Sequence, residues 1–345
     1  MKRLKELLML FPVILSLVFL AKPAAAGNDW LQFNDRLQAG PWLSRSGIQI
    51  APLYVTPADL RANYLSLDEA TRQGQIEVSE TGSVNELEVT NHSKMRVLLL
   101  AGEVVKGGKQ DRMVGRDMIL APGKTRTIDV FCVEHGRWSP SAAGLEFKGS
   151  SLMADKELRQ KAQAGGGVAA NQSRVWEEVA KSIDKFEVAA PTQNYHEILK
   201  SDKFKDAEGI IDFFARSLGK DSRVAGLALA YDGEVQSIEY FAGPALFAKY
   251  RDKLVRAYVT SALKHKTGSA QAGPAELKIF VNAILSEETH QYKTEDEIVV
   301  ESRSDRLESY ELLTPRLKSI HYVRYAGAEK TETPTGPDMD RDFQE

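Results

Sequence analysis

Between Ile48 and His135 the chain is a succession of short runs rich in Val, Ile, Leu and Thr: "IQIAPLYVT", "GQIEVSE", "VNELEVTNHS", "MRVLLLAGEVV" and "TRTIDVFCVE". Clusters of Gly, Asn and Ser separate them, and runs of this length between turn formers specify antiparallel sheet. After Pro140 the composition shifts to Ala, Lys, Glu and Gln, which favours helix. The change predicts an α+β fold: a β-rich, sandwich-like antiparallel lobe over residues 27–140, a helical connector over 141–190, and a mixed α+β lobe over 191–325. Residues 326–345 are polar and Pro-bearing, the composition of a disordered tail.

Within the connector, "SSLMADKELRQKAQ" reads as a polar helix and "AGGG" as a flexible joint. "NQSRVWEEVAKSIDKF" restarts a helix, with Asn171 or Ser173 as cap and Val175, Trp176, Val179 and Ile183 as its apolar stripe. "DAEGIIDFFARSLG" is a further helix. "VAGLALAYDGEVQSIEYF" is a hairpin, because Asp232-Gly233 supplies the positive φ angles of a tight turn. Gly243-Pro244 opens a long helix towards Lys264, with Pro at the first helical position. "ELKIFVNAILSEE", "DEIVVESRS", "RLESYELLT" and "KSIHYVRYA" read as strands.

The first residues carry a compartment signal. Lys2, Arg3 and Lys5 precede an uncharged run from Leu7 to Leu20, and Ala24-Ala25-Ala26 fits a small-x-small cleavage site. The run falls short of the about 20 residues needed to span a bilayer. Residues 1–26 are therefore expected to be a cleaved export signal, which places the mature chain in the periplasm or outside the cell with no transmembrane segment. Cleavage removes four cations and one anion, taking the formal charge from -3 to -6. A mildly acidic chain lacks the electrostatic footprint of a nucleic-acid binder. Cys132 is the sole cysteine, so no internal disulfide forms and stability must come from a packed core.

Two stretches carry a family likeness. "LLLAGEVVKGGKQDR", followed by "IDVFCVEHGRW", resembles a bacterial domain family known as the ADP-ribosylglycohydrolase- and rhodanese-phosphatase-associated protein domain. Weaker likeness continues through "NQSRVWEEV" and "AGPALFAKYRDKLVRAYVTSAL" to "SIHYVRY". The resemblance implies association with ADP-ribose or nucleotide-related metabolism and assigns neither activity nor cofactor.

Turn chemistry gives the motif a register. A two-residue loop at Gly107-Gly108 sets Lys106 against Lys109 and Glu103 against Arg112. Pro122-Gly123 suits a type II turn, and counting back from it pairs Asp111 with Glu134, a repulsive contact. One extra residue at Gly115 relieves it and sets Arg112 against Cys132 and Gln110 against Glu134. Glu103, Gln110, Arg112, Cys132 and Glu134 then share one face, with Arg137 and Trp138 at its rim.

Such a cluster suits recognition of a small anionic or sugar-like ligand. Lys109, Gln110, Arg112 and Arg137 supply donors, Cys132 lies between them, and Trp138 offers a flat apolar surface. The competing chemistry is hydrolysis of a nucleotide- or ADP-ribose-like substrate by Glu134 and Glu103 as acid and base. A third alternative is a structural cluster with a protein partner elsewhere. The six histidines show no spacing that seats two metal ligands on one element, so no metal site is expected; His321, on a strand, is the one to follow.

Overall fold

The computed structural model describes residues 31–33, 36–59, 63–136, 147–165, 167–265, 267–285 and 288–327. Residues 1–26, expected to be an export signal, together with Arg137, Trp138 and nearly all of the 326–345 tail, lie outside the described residues.

In chain order the elements are β1 Leu31–Gln32, β2 Leu37–Ala39, β3 Leu43–Arg45, β4 Ile48–Val55, β5 Leu65–Ser66, α1 Leu67–Arg72, β6 Ile76–Glu80, β7 Glu86–Asn91, β8 Val97–Leu99, β9 Glu103–Lys106, β10 Arg112–Val114, β11 Met118–Leu120, β12 Thr125–Cys132 and β13 Lys148–Met153. There follow α2 Lys156–Gln163, α3 Val168–Lys185, a 3-10 turn Tyr195–Lys200, α4 Asp202–Gly219, β14 Gly226–Tyr231, β15 Glu234–Phe241, α5 Pro244–Leu263, α6 Pro274–Asn282, β16 Glu288–Lys293, β17 Ile298–Arg303, β18 Leu307–Leu313 and β19 Ser319–Ala326. The fold is α+β with a strand-rich N-terminal region.

The strands form three sheets. A large antiparallel sheet runs β1-β2-β4-β14-β15-β19-β18-β17-β16, with β3 also on β4. A six-stranded sheet, β13-β9-β10-β12-β7-β6, and a three-stranded one, β11-β8-β5, make up the N-terminal body. Leu87, Val89, Val97, Leu99, Val114, Leu120, Ile128 and Val130 fill the core that these two share. The strands do not respect the linear division at residue 140: β1 to β4 join the large sheet, where β4 pairs with β14.

The main core lies between the large sheet and this body, with α5 at its centre. Leu246, Phe247, Tyr250, Leu254, Val255, Tyr258 and Val259 of α5 are all buried. Apolar residues all round a helix require cover all round. On the other face of the large sheet, Leu277 and Phe280 of α6 pack over Ala51, Leu53, Ala228 and Ala230.

Several local expectations hold. Asp232 and Gly233 have φ of 53° and 78°, and Tyr231 pairs with Glu234 across the two-residue loop. The long helix starts at Pro244 with Gly243 as N-cap. Pro122-Gly123 forms its turn, with Gly123 at φ 67° and the Lys124 amide donating to the Ala121 carbonyl.

Others are corrected. "ELKIFVNAILSEE" begins as α6: Pro274 occupies the first turn, Glu276 accepts from the Gly273 amide, and Leu277 and Phe280 face the sheet one turn apart. The first four residues of "SSLMADKELRQKAQ" belong to β13, and the helix starts only after Asp155, whose side chain caps the Leu158 amide. Helix α3 begins earlier than Asn171, at Val168. The Asn171 side chain instead donates to the carbonyls of Ala162 and Ala164, closing the end of α2.

Candidate functional site

The motif stretch folds into β9, β10 and β12, and the pairing of β10 with β12 sets Arg112 opposite Cys132. The chain breaks at Gly115 to Asp117, after which β11 leaves to pair with β8. The β9–β10 register differs from the expected one. Arg112 lies opposite Val105, so Glu103 and Arg112 do not meet, and the connection is wider than two residues. Tertiary contacts decide this: Glu80 accepts from the Lys109 amide at 2.9 Å, and Asp111 accepts from the Gly107 amide at 3.1 Å. Gly108, at φ 55°, sits where a Cβ would lie 2.2 Å from the Phe147 ring.

Gln110, Arg112 and Cys132 do converge, inside the protein. The Arg112 guanidinium donates from Nη1 to Gln110 Oε1 at 3.2 Å and from Nε to the Val84 carbonyl at 3.1 Å. The Cys132 thiol donates to the same Gln110 oxygen at 3.2 Å, and Gln172 from α3 brackets the Cys132 backbone at 2.8 and 3.0 Å. Arg112 and Cys132 are 0% exposed.

Glu134 has partners of its own beside this cluster. Its carboxylate accepts from Thr192 Oγ1 at 3.0 Å and from the Asp111 amide at 3.3 Å, and its backbone bridges Asn194. It fastens the 190–195 segment to the motif. Burial pushes the Cys132 thiol up to about 11 against the opposing pull of Arg112. A thiol so held is a poor nucleophile. Cys132 is therefore expected to resist an aromatic disulfide reagent in the folded protein and to react fully in denaturant; a full burst under native conditions would show that the cluster is open.

Glu103 belongs to a different cluster. Its carboxylate accepts from the Leu100 amide at 2.8 Å and from Lys253 Nζ at 2.6 Å, and the same Lys253 reaches Asp68 at 2.7 Å. Burial raises the Glu103 carboxyl, and Lys253 draws it back. Burial would lower Lys253, but Glu103 and Asp68 outweigh it and hold the ammonium charged. Lys253 stands on the core side of α5, three residues after Tyr250, so helical periodicity alone brings it under the sheet.

This triad lies at the edge of a cavity of about 700 Å³ between α4 and α5. Six cations line it, Arg216, Lys220, Lys249, Arg251, Lys253 and Arg256, against three carboxylates, Asp68, Asp212 and Asp252. The pairs on its walls differ in permanence. Arg216 and Asp212 meet at 2.8 Å with side chains 79% and 59% exposed, a contact that solvent and salt weaken. Lys253, 4% exposed in its side chain, is fixed.

A second buried network surrounds His321, which the sequence singled out without naming its partners. His321 donates from both ring nitrogens, from Nδ1 to Asp117 at 2.5 Å and from Nε2 to Glu239 at 2.9 Å. Arg159 grips Glu239 bidentately at 2.9 and 2.8 Å, and Tyr258 donates to the same carboxylate. Asp117 also accepts from the Ala101 amide at 2.8 Å. The network joins α2, α5, β15, β19 and the β10–β11 break. A signal for it existed: Glu239 alternates with Ser237 and Phe241 on the buried face of β15.

Among the described residues no group of three or more His, Cys, Asp or Glu is arranged to hold a metal ion, and no helix is long and apolar enough to cross a membrane. The chain belongs to the ARG and Rhodanese-Phosphatase-superfamily-associated Protein domain family, whose model matches residues 36–325. No curated protein and no solved structure matches the chain.

Proposed function

We propose that this protein is an exported binding protein for a small, multiply charged anion of the sugar-phosphate or nucleotide class, held in the groove between α4 and α5. The supporting observation is the gathering of six cations on one groove, where Lys253 is fixed by Glu103 and Asp68, Lys249 and Arg256 are paired with Glu69 and Glu208, and Arg216 is paired only at the exposed rim. Fixed cations beside exposed, weakly paired ones suit anion capture, because a ligand displaces the weak pairs at little cost. This moves the anion site away from Arg112, whose guanidinium is enclosed.

A thermal-shift screen with inorganic pyrophosphate, ribose 5-phosphate and ADP-ribose tests the proposal. A ligand at about 100 times its dissociation constant adds about 2.7 kcal/mol of stability. A shift that disappears in the Arg216→Glu/Lys220→Glu variant supports the groove, and no shift with any of the three counts against it. Export is tested by fractionating cells that express the chain with and without residues 1–26; equal distribution of the two would contradict it.

Hydrolysis is the second reading, favoured by one observation. The carboxyl of Glu103 is raised by burial behind a Lys–Asp pair, of which Asp68 faces the groove. An enzyme of this kind loses turnover in Asp68→Asn while keeping ligand affinity.

A further inference from the structure

The cations that line the α4–α5 groove fall into two sets with different partners. One set gathers at the C-terminal end of α4. Arg216 and Lys220 stand one turn apart there, and both are exposed. Arg216 has only the exposed Asp212, and Lys220 has no carboxylate within ion-pair distance among the described residues. Arg251 reaches the same end from α5. A Cβ on Gly219 would stand 2.6 Å from Arg251 Nη1, so the missing side chain leaves room for the guanidinium against the last turn of α4. Its Nε donates at 2.8 Å to Asp252, a carboxylate 72% exposed. Two guanidinium groups and an ammonium on one lining suit a phosphate, which takes charge-assisted hydrogen bonds from both kinds of donor.

The other set lies against α1 and is already committed. Lys249 donates to Glu69 and to the Tyr64 carbonyl, both at 2.7 Å, and Lys253 is shared between Asp68 at 2.7 Å and Glu103 at 2.6 Å. Asp68, Glu69 and Glu103 thus surround two ammonium groups, which leaves one negative charge in excess, and a phosphate placed at this end would meet it. Asp68 is the acceptor that lines the groove here. Its side chain is 22% exposed, Lys253 takes Oδ2, and Oδ1 has no hydrogen bond among the described residues. Lys249 also lines the groove, and two of the three donors of its ammonium are used. A ligand hydroxyl answers both residues, because it donates to Asp68 and accepts from Lys249. A ligand ammonium would answer only the carboxylate and would stand beside two lysines.

On the reading that this groove binds an anion, we propose that Asp68 sets its specificity, accepting a hydroxyl of the ligand while Arg216, Lys220 and Arg251 hold the phosphate. The groove then takes a phosphate monoester of a sugar or other polyol. It discriminates against inorganic polyphosphate, whose second charged group would fall at the acidic α1 end.

Calorimetric titration of the purified protein with ribose 5-phosphate, methyl phosphate and inorganic pyrophosphate tests the proposal. Methyl phosphate is a monoester without a hydroxyl, so the comparison in wild type needs no variant that must fold. Ribose 5-phosphate is expected to bind at least about tenfold more tightly than either other probe, the size of one hydrogen bond to a charged group. The gap should close in Asp68→Ala, where Lys253 keeps Glu103 as its partner. An Asp68 that only supports the fold, or acts only in catalysis, would leave the ratio unchanged. Gly219→Ala, which displaces Arg251, should weaken all three probes together; binding like wild type would remove the phosphate from that end. Methyl phosphate or pyrophosphate as tight as ribose 5-phosphate, or a ratio indifferent to Asp68→Ala, would overturn the role of Asp68, and the groove reading would survive if binding still vanished in Arg216→Glu/Lys220→Glu. No binding of any probe by wild type would overturn both.

Discussion

Replacing Arg159 with methionine is expected to lower the stability of the folded protein by about 3 to 5 kcal/mol, the usual cost of breaking a buried ion pair from one side. Arg159 and Glu239 both have side chains 0% exposed, so the carboxylate that remains cannot turn to water. The packing around the pair is equally unforgiving. Gly102, at φ 94°, lies so close to the Arg159 stem that a Cβ there would stand 2.6 Å from its Cγ. Removing both charges together, in Arg159→Met/Glu239→Leu, should recover part of the loss, because apolar groups of similar volume often replace a buried pair without penalty. Urea unfolding of the two single variants and the double variant measures this. A cost below about 1 kcal/mol for Arg159→Met, the size expected of an exposed pair, would mean the network is not the clamp between sheet and body.

The second large effect is alkaline. Burial alone would lower His321, yet Asp117 and Glu239 on its two ring nitrogens raise it to about 9 from an ordinary 6.5. A group whose pKa is raised on folding adds stability that is complete below its unfolded value. The contribution fades as pH climbs through the folded value. Between pH 6.5 and 9 the protein should therefore lose roughly 3 kcal/mol from this residue, at about 1.36 kcal/mol per unit. The His321→Gln variant, less stable at pH 6, should show a much flatter dependence over that interval. If wild type and variant run parallel from pH 6 to 10, the imidazole is not held charged. Glu239 works in the opposite sense. Burial would raise it, but Arg159 and His321 hold it well below the usual carboxylate range, so its contribution is present above about pH 4.5 and fades in strong acid.

These two effects come from residues that the sequence displayed without explaining. Local chemistry was legible where it is decided locally. Asp232-Gly233 needs only its own backbone to turn, Pro244 only the start of a helix, and Pro122-Gly123 only four residues. The Arg112–Cys132 register was legible too, because a like-charge clash pointed to an irregularity close to where the chain breaks.

Sequence reasoning failed where distant partners decide. The loop at Gly107-Gly108 is shaped by Glu80 and Phe147, tens of residues away, and the expected opposition of Glu103 and Arg112 falls with it. The placement of β4 beside β14 could not be read either, since nothing near Ile48 or Gly226 names the other. The misreading of α6 has a different cause. Its cap signals, Gly273-Pro274 with Glu276, were present, but the run Ile279 to Val281 imitates a strand, and Ile279 is in fact 72% exposed. Charged residues on apolar faces, Glu103, Lys253 and Glu239, are the signal that could have found these buried networks, and only Glu103 was read, as a site residue.

The most direct test of the α4–α5 groove is calorimetric titration with ribose 5-phosphate and inorganic pyrophosphate at low and at physiological salt. Wild type is compared with Arg216→Glu/Lys220→Glu on the groove and with Lys109→Ala on the motif loop. The groove account predicts saturable binding that weakens as salt rises, is lost in the groove variant and survives in Lys109→Ala. Binding that survives the groove variant and is lost in Lys109→Ala would contradict it and return the site to the motif.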